Sequence, residues 1–273
     1  MIDFLSQIEG ELNTIFQSNT FLDKTGAHLC LASNAKRVRP LLVSYFAEIL
    51  GLSKQKIIPI AVATELIHSA SLLHDDGIDN ADSRRGRPSV NHQWSNSVAV
   101  LSGNYLLSCA FIQLRSFGHE MTQEVIDVVS KMTQAAMLEL QMRRSLDFTI
   151  EDWRAMAIGK TGSLFAFCGS SVALLMGHQE AHKAFTICGH HIGQIFQLAD
   201  DICDLQEDED NEEASFPRLL MTMGNQDPLP ACREELLKQT TLAMKALEPW
   251  KSSAGSNQIK MWLEQLSSLG NAR

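Results

Sequence analysis

Apolar positions in this chain recur at helical spacing almost without interruption. Near the start they fall at Ile2, Leu5, Ile8, Leu12, Ile15 and Phe16, one stripe of an amphipathic helix over about 2–17. The same period predicts a helix over about 37–50, with Gly51 as its C-cap, and another from about Pro59 to the aspartates near 79. Longer helices are predicted over about 98–117, 123–144, 150–176 and 181–205. Shorter ones follow, separated by Asp227-Pro228, Pro249 and a Ser-Gly stretch at 252–256. Gly159 and Gly162 interrupt the third long segment and predict a kink near Lys160-Thr161. Residues 84–97 read as a polar loop with a short helical turn. No stretch alternates apolar and polar residues for long enough to suggest a sheet. The expectation is all-α: one domain, 1-273, a bundle of about ten helices with no linker.

Two segments break the apolar pattern in the same way. Asp75-Asp76-Gly77-Ile78-Asp79 and Asp200-Asp201-Ile202-Cys203-Asp204 both read Asp-Asp-x-x-Asp, and each closes a run of core-forming residues. On a helix the first and last aspartate of each share a face. Carboxylates so close repel one another and stay ionised at neutral pH only with cations nearby. Hard divalent ions with oxygen ligands, Mg²⁺ above all, suit them, and such ions usually also hold phosphate. Most acidic clusters are solvated helix surfaces. Acids ending core helices, however, carry a desolvation cost that metal or basic groups must offset. Two such clusters facing each other would bind a diphosphate.

Composition narrows the classes further. A net charge of −9 without any basic run argues against nucleic acid. Basic residues gather instead at Lys36-Arg37-Val38-Arg39 and Arg84-Arg85-Gly86-Arg87, which in an acidic protein suggests a small anionic ligand. The 6 cysteines include no Cys-x-x-Cys spacing and read as reduced core thiols of a cytoplasmic protein. Acidic residues near Met1, where a signal peptide has basic ones, and an apolar run over 164–177 too short to cross a bilayer predict a soluble protein with no transmembrane segment. Residues 206–215, dense in Asp and Glu, predict a solvated loop.

In chain order, the motifs are Lys36-Arg37-Val38-Arg39-Pro40, the run from Glu65 through His68 to Asp75-Asp76, Arg84-Arg85-Gly86-Arg87-Pro88, Gly159-Lys160-Thr161-Gly162, and Phe196-Gln197-Leu198-Ala199-Asp200-Asp201-Ile202-Cys203-Asp204. In these the chain resembles the trans-polyprenyl diphosphate synthases, the head-to-tail isoprenyl transferases that make farnesyl, geranylgeranyl and longer diphosphates. The resemblance covers most of 30–220. It implies the isoprenoid synthase type I fold, helices around a central cavity, and condensation of an allylic diphosphate with isopentenyl diphosphate. Asp75, Asp76, Asp79, Asp200, Asp201 and Asp204 are the implied metal ligands, with roughly three Mg²⁺ ions when substrate is bound. Arg84 is the implied contact of the allylic diphosphate. Lys36, Arg39, His68 and Arg85 match the positions that hold isopentenyl diphosphate. His68 also stands two helical turns before Asp75 on one face, although a lone histidine there is ordinarily a satisfied core residue. Lys160 and Thr161 match the catalytic Lys-Thr pair beside the reacting carbon, and Gln197, on the face of Asp200, joins them. Arg37 reads as a solvated helix start. Bulky residues four and five positions before the first aspartate stop elongation early in this family. Ser71 and Ala70 stand there, both small, so the implied product is geranylgeranyl or longer. A homodimer is implied as well.

Three departures are visible. Ala35 replaces a common glycine, Asn104 replaces a usual aspartate, and the Lys-bearing element after the second cluster is absent, with Arg218 the nearest cation. Other readings stay open: a non-catalytic subunit of a heteromeric synthase, a terpene cyclase, or a helical metal-dependent phosphohydrolase built on His68 and His74-Asp75. The last leaves Asp200–Asp204 and both arginine clusters without a role.

Overall fold

The computed structural model describes residues 2–17, 24–25, 35–84, 86–144, 148–207 and 215–269. Its helices are α1 (Ile2–Gln17), α2 (Val38–Ile49), α3 (Lys54–Asp79), α4 (Val90–Gln93), α5 (Asn96–Leu114), α6 (His119–Arg144), α7 (Ile150–Ala157), α8 (Ser163–Leu175), α9 (Gln179–Glu207), α10 (Ser215–Thr222), α11 (Leu229–Ala246) and α12 (Ala254–Leu269). The expected all-α class holds. A two-residue hairpin, β1 (Ser83–Arg84) with β2 (Arg87–Pro88), lies where a polar loop was expected, turning at Gly86 with φ +74°. The chain divides into two compact units, Met1–Ala47 with Leu52–Gln123, and Glu48–Gly51 with Glu124–Arg273.

In the first unit α3 is the central element and packs on α5, α1 and α4. Residues 57–70 of α3 are buried almost without a break. That burial carries the helix through Pro59, whose missing N–H costs one backbone hydrogen bond. The helix therefore begins five residues before Pro59, at Lys54 after Ser53, not at the proline itself. On α1 the buried stripe is Phe4, Ile8, Leu12 and Phe16, an i, i+4 ladder; Leu5 and Ile15 are only half-buried. Between α3 and α5 the backbones come close: a Cβ on Gly103 would lie 2.4 Å from His74 Nε2 and 3.1 Å from the Ala70 carbonyl. A larger residue there would have to displace the His74 ring and press on the Ala70 carbonyl.

In the second unit α9 is the central element, against α8, α11 and α12. A capping box opens α7: Thr149 Oγ accepts the Asp152 N–H at 3.1 Å, and Asp152 Oδ2 accepts the Thr149 N–H at 2.8 Å. The kink predicted near Lys160 is a π-helical turn, Ile158–Gly162, joining α7 to α8. Residues 162–173 are entirely buried. Close approach of α8 and α9 rests on small residues. A Cβ on Gly189 would meet Ala166 Cα at 2.2 Å, and one on Gly193 would meet Gly162 Cα at 2.2 Å.

Two expectations need correction. The run at 164–177 is part of a continuous helical segment, Ile150–Leu175, which by length and composition could cross a membrane, as could Lys54–Asp79 and Asn96–Phe117. The first two are mostly buried inside the protein, at 67% and 72% of their most apolar stretch, against 33% for Asn96–Phe117. The cysteines are not all core thiols. Cys168, Cys188 and Cys232 are buried, Cys109 is half-buried and Cys203 is exposed on α9; Cys30 lies outside the described residues.

Candidate active site

The first triplet closes α3. Asn80 ends the helix in the left-handed region (φ +52°), its N–H on the Asp76 carbonyl, and the Ala81 N–H reaches the same oxygen at 3.0 Å. Asp75 is half-buried and Asp79 exposed, whereas Asp76 is 0% exposed. Asp76 Oδ1 accepts both Nε (2.8 Å) and Nη2 (2.6 Å) of Arg84. Burying that carboxylate is tolerable because the guanidinium meets it. The hairpin that follows α3 delivers Arg84 to this position. The residue read as a diphosphate contact and one read as a metal ligand are thus joined to each other. His68 is half-buried on α3, Lys36 is exposed before α2, and Arg39 is half-buried within it; Arg85 lies outside the described residues.

Arg37 is the largest departure from expectation in this region. It is not solvated but 5% exposed, with φ +49°. Its Nε and Nη2 donate to Glu9 at 2.6 and 3.0 Å, and its Nη1 donates to Glu65 at 2.6 Å. Sequence reasoning missed both partners. Glu65 had a signal, a lone acid in the long apolar run of α3. Glu9, on the polar side of α1, had none. His74 Nε2 is buried against Gly103 with no hydrogen-bond partner among the described residues.

The second triplet lies near the end of α9. Asp200 is exposed, Asp204 half-buried and Asp201 0% exposed. Asp201 accepts Gln197 Nε2 at 3.1 Å on one oxygen, and the Phe216 N–H at 2.9 Å and Ser215 Oγ at 3.2 Å on the other. Burial pushes its acid up to about 7, against the downward pull of those hydrogen bonds. Trp153 adds its indole N–H to Ser215 at 3.1 Å and stacks on Phe216 with centroids 4.4 Å apart. Asp201 therefore fixes the start of α10, the helix that carries half-buried Arg218. Asp201→Ala is expected to cost about 2 kcal/mol by orphaning the Phe216 amide, which a thermal melt at fixed pH would detect. The acidic loop expected at 206–215 falls largely outside the described residues.

Lys160 and Thr161 sit in the π turn, both half-buried. Lys160 Nζ meets Glu139 Oε2 at 2.5 Å, and Glu139 also accepts from Arg143 at 3.3 Å. Glu139, one of several charged residues along α6, was missed from sequence. Gly162 follows the pair directly and touches α9 at Gly193, one helical turn before Gln197. Single π turns of this kind concentrate at functional sites. Among the described residues no three His, Cys, Asp or Glu side chains converge to hold an ion by themselves. An ion at either triplet would complete its shell with water or substrate oxygens, as Mg²⁺ commonly does.

This chain belongs to the polyprenyl synthetase family, whose model matches residues 21–216. It is similar to the heptaprenyl diphosphate synthase component 2 of Geobacillus stearothermophilus, 32% identical over 76% of this chain and 66% of that protein. It is also similar to the octaprenyl diphosphate synthase of Escherichia coli, 29% identical over 75% of this chain and 61% of that protein. The chain thus spans less than two thirds of the length of these curated relatives. Its fold is shared with a decaprenyl diphosphate synthase from Rhodobacter capsulatus, at TM-score 0.90 and 21% identity over 98% of this chain and 96% of the other.

Proposed function

We propose that the protein is a prenyltransferase that condenses an allylic diphosphate with isopentenyl diphosphate, head to tail, into a trans-polyprenyl diphosphate. One observation carries this reading within the family. In both triplets the outer aspartates, Asp75 and Asp79, Asp200 and Asp204, reach solvent at the ends of apolar helices while the second aspartate is committed inward. Four hard carboxylates presented this way fit Mg²⁺, which when bound supplies positive charge to the departing diphosphate. Lys160 adds a side-chain cation, and Thr161 and Gln197 offer oxygen dipoles to the developing allylic cation. Lys36, Arg39, His68 and Arg85 hold the isopentenyl diphosphate, and its carbon chain requires an apolar, water-poor path. We take both units as parts of one synthase domain, located in the cytoplasm and working as a homodimer. The test is incubation of the purified chain with Mg²⁺, an allylic diphosphate and labelled isopentenyl diphosphate. Lengthened prenyl product is expected; free phosphate without a new carbon–carbon bond would sink the reading in favour of a hydrolase.

A second reading is favoured by the relative named as component 2 of a heptaprenyl synthase. This chain would then work only beside a different partner chain. An inactive homogeneous protein restored by a second chain would establish it.

The product is proposed to be geranylgeranyl or longer. Ala70 is 0% exposed and its carbonyl faces Gly103, whereas Ser71 is half-buried and turns its hydroxyl onto the His68 carbonyl at 2.8 Å. Ser71 is therefore the position with room to act on chain length. Ser71→Phe is expected to shorten the product by at least one isoprene unit, read by chromatography of the dephosphorylated alcohols. An unchanged length distribution would remove Ser71 from the elongation path.

A further inference from the structure

Lys36 and Arg39 flank a backbone conformation that few side chains adopt. Arg37 sits between them at φ +49°, in the left-handed region, and its carbonyl accepts the Leu41 N–H at 3.1 Å to open α2. What holds this turn is the far end of the same residue. The guanidinium grips Glu9 of α1 through two nitrogens, at 2.6 and 3.0 Å, and Glu65 of α3 through the third, at 2.6 Å. Arg37 is 5% exposed and Glu65 2%, so water contributes little to the arrangement. Glu65 lies three residues before His68, on the same face of α3. One buried cation therefore fixes the segment bearing Lys36 and Arg39 to the helix bearing His68.

We propose that Arg37, clamped by Glu9 and Glu65, is the positioning residue of the isopentenyl diphosphate subsite, setting Lys36 and Arg39 relative to His68. The inference rests on the prenyltransferase reading above and adds residues that do not themselves touch substrate. A planar fork is needed for the role, because a lysine ammonium cannot serve a bidentate carboxylate and a second acid in fixed geometry. The allylic diphosphate, held by other groups, should be indifferent to it.

The experiment compares wild type, Arg37→Lys and the milder Glu9→Gln, with both substrates varied in turn. For Arg37→Lys the KM for isopentenyl diphosphate should rise about tenfold, and for Glu9→Gln about threefold, because small displacements of binding groups are costly. The allylic KM, and kcat at saturation, should stay within about twofold of wild type, the signature of lost uniform binding of one substrate. A merely structural ion cluster would lower the melting temperature and leave that split absent. Equal changes in both KM values, or a wild-type KM for isopentenyl diphosphate in both variants, would overturn the proposal. If Arg37→Lys does not fold, Glu9→Gln decides, since Glu9 is 40% exposed and glutamine keeps its size. Calorimetric titration of isopentenyl diphosphate alone separates this inference from the one beneath it. A wild type that binds it without extending a primer defeats the synthase reading, and the same tenfold gap between dissociation constants then decides the role of Arg37. A wild type that binds none defeats both.

Discussion

Asp200→Ala is expected to lower the rate of chain elongation by about a hundred- to a thousandfold, the loss typical when one group stabilising developing charge is removed. The melting temperature should barely move. Asp200 is exposed on α9, and substitutions at exposed positions usually shift stability by no more than about 0.5 kcal/mol. Its neighbour behaves in the opposite way: Asp201 lies buried under the first turn of α10, so its loss appears first as lost stability. The pair of variants therefore separates a carboxylate that serves chemistry from one that serves architecture, within a single motif. Initial rates at saturating Mg²⁺, set beside melts of the same preparations, measure both. A rate loss under about tenfold for Asp200→Ala, with the fold intact, would remove that residue from the reaction.

Gly193→Ala should be, with Gly189→Ala, among the most damaging single-methyl substitutions in the second unit. The added carbon would stand 2.2 Å from Gly162 Cα and 2.3 Å from its nitrogen, backbone atoms that cannot rotate aside. The cost is expected at about 3 kcal/mol or above, the upper end for overpacking. That corresponds to a fall of roughly 8 °C in melting temperature for a chain of this size. Gly162→Ala is the internal control. Its Cβ would meet the Cα and carbonyl of His190 at 3.2 Å, a contact that small shifts relieve, so about 1 kcal/mol is expected. The damage at Gly193 should reach the rate as well, because moving α8 from α9 separates Lys160 and Thr161 from the face that carries Gln197. Near-equal melting temperatures for the two variants would show that the helices slide apart freely.

Much of this was legible because helical packing writes itself as a period. The stripe on α1, the break at Gly159 and Gly162, and both triplets stood out before any coordinates, and α1 spans the predicted 2–17. Borders were harder. Pro59 looked like a beginning because proline favours first turns, but the helix already runs from Lys54, with Ile57 and Ile58 buried before the proline. Roles within the motifs were harder still. Asp75 and Asp76 are chemically identical, and only the neighbouring hairpin decides that Asp76 turns inward to Arg84. Likewise nothing local says that Arg37 is buried while Lys36 is exposed. Long-range partners such as Glu9 and Glu139 leave almost no trace along a chain.

The widened turn at Ile158–Gly162 has a mechanical consequence. Inserting one surplus residue into a helix advances everything beyond it by about 100° relative to an uninterrupted spiral. Such a surplus is mobile in principle: translating it by a single position along the rod would swing the lysine to another side while α7 and α8 keep their seats. The protein thus owns a place where backbone register chooses the side on which Lys160 emerges, and the Glu139 carboxylate on α6 receives its ammonium there.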